Sequence, residues 1–274
     1  MVKMKTKGIV VSQEKLTDDV YSLWLSAAVA ESAQAGQFIG IYPRNEATLL
    51  PRPLSICEVS DDRRQLRLVY RVVGQGTTEF TTYKVGDIVS FLGILGNGFP
   101  LDESELSQKQ VFLVGGGIGI APLVELAKTL PLKVQADAKD NTACSLDIFL
   151  GYRNQQTFLT NELKNYGNIH IATDDGSIGI HGSVIDAIEA QRAKAKLPDL
   201  IYACGPLPML QAVKEYGERE NIKIYLSLEE RMACGIGACL GCVCKTKERD
   251  YHTGVYNTRI CTEGPVYEAG RVIL

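Results

Sequence analysis

The 274-residue sequence predicts a multi-domain β plus α/β protein, and three observations carry that prediction. Residues 1–101 hold short segments rich in β-branched and aromatic residues, separated by turn material, as in an antiparallel β-barrel. In residues 102–227, strands alternate with helix-length segments, the sequence form of a Rossmann-like α/β sheet with crossover helices. Residues 228–274 carry five of the eight cysteines but too few apolar residues for a core of their own, so this small domain is expected to fold around a metal.

Six segments are expected as barrel strands: "KGIVVSQ", "VYSLWLSA", "QFIGIYP", "RPLSICEVS", "QLRLVYRVV" and "DIVSFLGIL". From Gln110 the expected pairs are "QVFLVGGG" with "IAPLVELAKTL", "LDIFLGY" with "TFLTNELKNY", and "DLIYACG" with "PLPMLQAVKEYGEREN", before a last strand, "KIYLSLEE". A net charge of −3 gives no basic field for nucleic acid or an anionic membrane. No apolar run reaches the roughly 18 to 20 residues that span a bilayer, and "MVKMKTKGIV" lacks the pattern of a cleaved leader. A cytoplasmic protein is expected, and in that reducing compartment clustered cysteines point to a metal instead of disulfides.

Two turns in the middle region suit a nucleotide. "VFLVGGGIGIAP" runs a strand into Gly115, Gly116, Gly117 and Gly119 and then a helix, so that bare backbone N–H groups can approach a pyrophosphate or nicotinamide. Its spacing departs from the Rossmann fingerprint. "YACGPLPM" repeats the device with Cys204, Gly205 and Pro206 at a second strand end, where open α/β sheets bind ligands. In the first region, "RPLS" joins Arg52, Pro53, Leu54 and Ser55, a guanidinium suited to phosphate with a hydroxyl three residues on. "VYRVVGQGTT" adds Val69, Tyr70 and Arg71, then Gly76 and Thr77, which offer stacking, charge and bare amides to a nucleotide lying across a barrel.

In this order, "RPLS", "GQGTT", "GGGIGIAP" and "CGPLPM" resemble the ferredoxin reductase family. The resemblance implies that the barrel binds FAD through Arg52, Pro53, Leu54, Ser55, Val69, Tyr70, Arg71, Gly76 and Thr77. It also implies that the α/β domain binds NAD(P) through the glycines at 115, 116, 117 and 119 and through Cys204, Gly205 and Pro206. Arg153 in "GYRN" leaves NAD and NADP both open.

Cys234, Cys239 and Cys242 have the spacing C-x4-C-x2-C, which is plant-type [2Fe-2S] ligation closed by a distant fourth thiolate. Cys261 and Cys244 compete for that place, and Cys261 is favoured because the last ligand of such clusters comes from a remote segment. A structural zinc held by four of the same thiolates is the rival chemistry. "ERMACGIGACLGCVC" and "ICTEGPVYEAGRVIL" make the whole chain similar to the electron-transfer subunits of NAD-dependent dihydroorotate dehydrogenases. That resemblance implies an FMN-containing catalytic subunit as partner in a heterotetramer. Electrons would pass from it through the cluster and FAD to NAD+ in pyrimidine biosynthesis. The competing reading is a stand-alone reductase serving a ferredoxin, an oxygenase, or a sulfide or bifurcating complex. No catalytic acid, base or nucleophile is expected, and His170, His181 and His252 are read as structural or surface residues.

Overall fold

A computed structural model describes residues 5–45, 47–102, 106, 109–135, 145–192, 196–250 and 254–274; Cys144 and His252 lie outside them. Its chain divides into two compact units, the first made of Met1–Gly98 with Glu229–Val266 and the second of Phe99–Leu228 with Tyr267–Leu274.

The first unit is built on β1 (Lys5–Lys15), β2 (Val20–Ser26), β3 (Phe38–Ile41), β4 (Arg52–Val59), β5 (Gln65–Arg71) and β6 (Ile88–Leu95). These strands close into a barrel in the order β1-β2-β5-β4-β3-β6. Every pairing is antiparallel. Closure leaves no strand edge, and the inward positions fill the interior with Leu23, Leu25, Ile39, Ile41, Ile56, Leu66, Leu68 and Phe91. A short helix, α1 (Gln75–Phe80), follows β5 where the sequence suggested a glycine turn alone, and it sends Phe80 into the core. The cysteine-rich segment of this unit forms an antiparallel hairpin of β13 (Val243–Thr246) and β14 (Asn257–Arg259).

The second unit contains β7 (Gln110–Gly116), β8 (Ser145–Tyr152), β9 (Asn168–Thr173), β10 (Ile180–His181), β11 (Leu200–Cys204) and β12 (Lys223–Ser227). With β15 (Val266–Glu268) they form a seven-stranded sheet ordered β10-β9-β8-β7-β11-β12-β15. From β10 to β12 the strands run parallel. Every residue of β11 is buried, which is why it reads as one apolar run instead of an alternation. Strand order reverses at β7, with β8 on one side and β11 on the other, so the carboxyl ends of β7 and β11 flank the crevice where such sheets take ligands. Helices α2 (Ala121–Gln135), α4 (Val184–Arg192) and α5 (Leu207–Glu220) make the connections.

Several elements of the second unit also differ from expectation. The helix expected over "TFLTNELKNY" shrinks to α3 (Thr160–Leu163), because Leu159 takes a left-handed φ of 62° and the Tyr152 hydroxyl claims the Phe158 carbonyl at 2.7 Å. Strands β9 and β10 and helix α4 have no expected counterpart, the apolar pattern of β9 being broken by Asn168 and His170. The polarity of His170 is satisfied inside the fold: Nε2 lies 2.7 Å from Asp147 Oδ1, and the ring stacks on Phe149. Hydrogen bonding from His170, working against burial, holds the Asp147 carboxyl below its ordinary range. Among the described residues no helix is long and apolar enough to cross a membrane.

Candidate functional site

In the barrel unit, Arg52 opens β4 opposite Ile41, and its Nη1 donates to the Leu50 carbonyl at 2.7 Å. The guanidinium is thereby aimed at the turn that follows β5. A Cβ on Gly76 would stand 2.8 Å from Arg52 Nε, so the arginine and the glycine turn, separated in sequence, form one cradle that a side chain would fill. Thr77 shapes this turn: its Oγ1 accepts from the Val73 and Gly74 amides at 2.9 and 3.2 Å and donates to the Gly74 carbonyl. Half-buried Ser55 sits on the same strand as Arg52, opposite Phe38. Pro53 is exposed, and Leu54 packs on the barrel core.

Tyr70 and Arg71 sit differently from the expectation of a stacking ring and a free cation. Tyr70 is 1% exposed, its ring stacked on Tyr21 and edge-on to Phe80, so the core takes the residue that the sequence offered for stacking. Burial raises its hydroxyl far above the ordinary tyrosine range. Val69 is buried too, and Arg71 Nε lies 3.2 Å from Asp19 Oδ2.

In the α/β unit the two glycine turns meet. Gly115 at the end of β7 is opposite Cys204 at the end of β11. Gly116 ends the strand, Gly117 takes a φ of 53°, and a turn of 3-10 helix over Gly117–Ile120 leads into α2. A Cβ on Gly119 would lie 2.6 Å from the Cys204 carbonyl carbon and oxygen and from Gly205 Cα. Backbone therefore packs on backbone, with Pro206 capping α5 and the Cys204 thiol buried beneath. Gly119→Ala is expected to push the turns apart, weakening NADH binding at least about tenfold and lowering stability by ~1–3 kcal/mol, as overpacking does. Fluorescence titration with NADH and thermal melting check it, and unchanged NADH affinity would remove this turn from the nucleotide site.

The cysteine loop of the barrel unit directs amides at sulfur. Cys234 Sγ accepts from the Ile236 and Cys239 N–H groups at 3.5 and 3.4 Å, and Cys239 Sγ accepts from Gly241 N–H at 3.4 Å. Although burial opposes ionisation at Cys234, these amides and its Cys239 neighbour bring its thiol down to about 7. Cys242 and Cys261 are 2% and 0% exposed, and Ile260 N–H donates to the Cys242 carbonyl at 2.9 Å, bringing the third cysteine beside the segment that carries the distant one. Cys244 lies on β13, opposite Thr258, and burial, helped by the nearby Glu230 and Cys242, pushes its thiol up to about 11. Among the described residues no three such donors are gathered closely enough to hold an ion by themselves. The donor set is nonetheless all thiol, with N–H groups turned towards sulfur, and suits an iron–sulfur group.

Two residues missed in the sequence brace this region. Arg259 forks onto Glu263, with Nε 2.8 Å from Oε2 and Nη2 on Oε1, and its Nη1 donates to the Gly237 carbonyl at 3.4 Å. The available signal was R-x-x-x-E bracketing Cys261.

Residues 229–273 match the family model described as the iron-sulfur cluster binding domain of dihydroorotate dehydrogenase B, and residues 113–215 match the oxidoreductase NAD-binding domain. The chain is 41% identical over 267 residues to the dihydroorotate dehydrogenase B (NAD(+)) electron transfer subunit of Enterococcus faecalis, with 97% of each covered. With its namesake in Streptococcus pneumoniae it is 37% identical, and all of both chains is covered. Among solved structures, an NADH-dependent reduced ferredoxin-NADP oxidoreductase superposes with a TM-score of 0.82 at 26% identity, covering 97% of this chain and 89% of the other. An Amycolatopsis cytochrome P450 reductase shares the fold at 20% identity and a TM-score of 0.65, covering 81% of this chain and 68% of the other.

Proposed function

Because the chain belongs to the family of dihydroorotate dehydrogenase B electron transfer subunits, we propose that its two nucleotide turns and its four-cysteine loop are the stations of one electron relay. The protein is an oxidoreductase subunit that carries electrons to NAD+ in pyrimidine biosynthesis, with FAD, a [2Fe-2S] cluster and NAD as its cofactors. A cluster trades single electrons, nicotinamide accepts a hydride, and a flavin between them can do both.

The chain's own residues bind and space these groups. Arg52 and the bare turn at Gly76 hold phosphate, and Ser55 reaches towards the flavin ring. The glycines at 115, 116, 117 and 119, with Cys204, Gly205 and Pro206, present backbone to the nicotinamide nucleotide. Cys234, Cys239, Cys242 and Cys261 ligate iron. Functionally, residues 1–101 form the FAD domain, 102–227 the NAD domain and 228–274 the cluster domain. The partner is a catalytic dihydroorotate dehydrogenase subunit carrying FMN, two of each assembling as a cytoplasmic heterotetramer.

Likeness to the family along 97% of the chain, cysteine segment included, carries this reading. Purified alone, the protein should show flavin and [2Fe-2S] absorption together. Mixed with the catalytic subunit, it should reduce NAD+ at the expense of dihydroorotate. A cofactor-loaded protein that reduced a ferredoxin with NADH yet gave no dihydroorotate-dependent NADH would overturn it.

A further inference from the structure

The Arg259–Glu263 pair is placed as no surface ion pair needs to be. Its arginine ends β14 directly opposite Val243, the residue after Cys242, and stands two residues before Cys261. The Arg259 carbonyl accepts from the amides of Thr262, Glu263 and Gly264, which winds the chain tightly around Cys261. From this turn the guanidinium reaches Gly237, midway between Cys234 and Cys239, while Glu263 grips its other face and the Arg259 amide. Gly237 lies so close that a Cβ there would stand 2.9 Å from Thr262 Cγ2. One permanent cation thus touches the loop of the first two cysteines, flanks the third and precedes the fourth, with its side chain 18% exposed.

We propose that Arg259 is a positioning residue that latches the Cys261 turn to the cysteine loop and whose charge, attenuated by Glu263, raises the reduction potential of the group held by the four thiolates. This rests on reading those thiolates as iron ligands. Reduction by one electron adds one negative charge among them without needing a proton, and net charge close to a cluster is a lever on its potential. A half-buried guanidinium acts there with less solvent screening than an exposed one. The carboxylate of Glu263 partly cancels that field, so the two partners push the potential in opposite directions. A pair that merely braced the turn would lose structure from either side and produce no such opposition.

The test is a redox titration of the purified, cluster-loaded protein, followed by electron paramagnetic resonance of the reduced cluster, with iron and sulfide analysis of each sample. Parent protein is compared with Arg259→Gln, Arg259→Lys and Glu263→Gln. Glu263→Gln should be the most easily reduced, the parent and Arg259→Lys intermediate, and Arg259→Gln the least. The expected step for Arg259→Gln is about a tenfold fall in the reduced-to-oxidised ratio at a fixed potential, equivalent to ~59 mV for one electron. If Arg259→Gln loses its cluster, the rise in Glu263→Gln over the parent still reads the charge. Equal potentials throughout, or Glu263→Gln and Arg259→Gln shifting in the same direction, would overturn the proposal. So would Arg259→Lys falling as far as Arg259→Gln. A parent without iron and sulfide would instead sink the ligand assignment beneath it.

Discussion

Serine at Cys234, Cys239, Cys242 or Cys261 is expected to strip the iron–sulfur group from the protein, whereas serine at Cys244 leaves it in place. Oxygen is a harder donor than thiolate and suits iron in such a site poorly. The structure sets Cys234 and Cys244 apart: amides turned towards sulfur bring the Cys234 thiol down to about 7, while burial on β13 pushes Cys244 up to about 11. The four damaging variants should keep their flavin and still pass electrons from NADH to a small artificial acceptor. Dihydroorotate-dependent NAD+ reduction with the catalytic subunit should fall to background. Iron and sulfide analysis with both assays checks all five variants. Loss of the cluster in Cys244→Ser with retention in Cys261→Ser would exchange their roles.

Arg52→Ala should empty the flavin site and spare the iron. A charge-assisted contact to phosphate contributes about 1.5–3 kcal/mol, so FAD affinity should weaken by roughly ten- to a hundredfold. The flavin-to-protein absorbance ratio after gel filtration measures this, and iron content in the same samples is the control. Arg52→Lys should recover part of the affinity, because it restores the charge without the fork that Leu50 now orients. Equal flavin content in Arg52→Ala and parent would move the phosphate elsewhere.

Much of the fold was legible because burial writes a pattern. Barrel strands with one face on the core and α/β strands buried on both faces gave apolar segments that overlap β1 to β8, β11 and β12, though β1 runs longer and β3 and β12 shorter than their segments. Strand β9 escaped because His170 and Asn168 look like surface residues, and only the partnership with Asp147 on the neighbouring strand lets His170 sit there. The length of α3 escaped because it is decided by the left-handed Leu159 and by a tyrosine seven residues earlier. At the sites, residue types and order were readable, but their use was not. Tyr70 looked available for stacking until Tyr21 and Phe80 closed over it. Arg259 and Glu263 have the spacing of a helical ion pair, and nothing local says that they instead wrap a turn around a cysteine.

The sheet of the second unit is completed by a strand that the chain delivers late. Between β12 and β15 lie residues 228–265, the cysteine segment, and Ala269 N–H then donates back to the Ile224 carbonyl at 2.9 Å. Lys214 on α5 draws the same tail in, donating to the Ala269 and Val272 carbonyls at 2.5 and 3.0 Å. Dissecting the protein after residue 227 would therefore not yield a clean nucleotide-binding fragment. It would bare β12 as an outermost strand whose unpaired N–H and C=O groups template association with other chains. Splicing Tyr267–Leu274 directly behind Leu228 through a short flexible linker would keep the margin sealed, since the entropy of closing the connection changes slowly with its length.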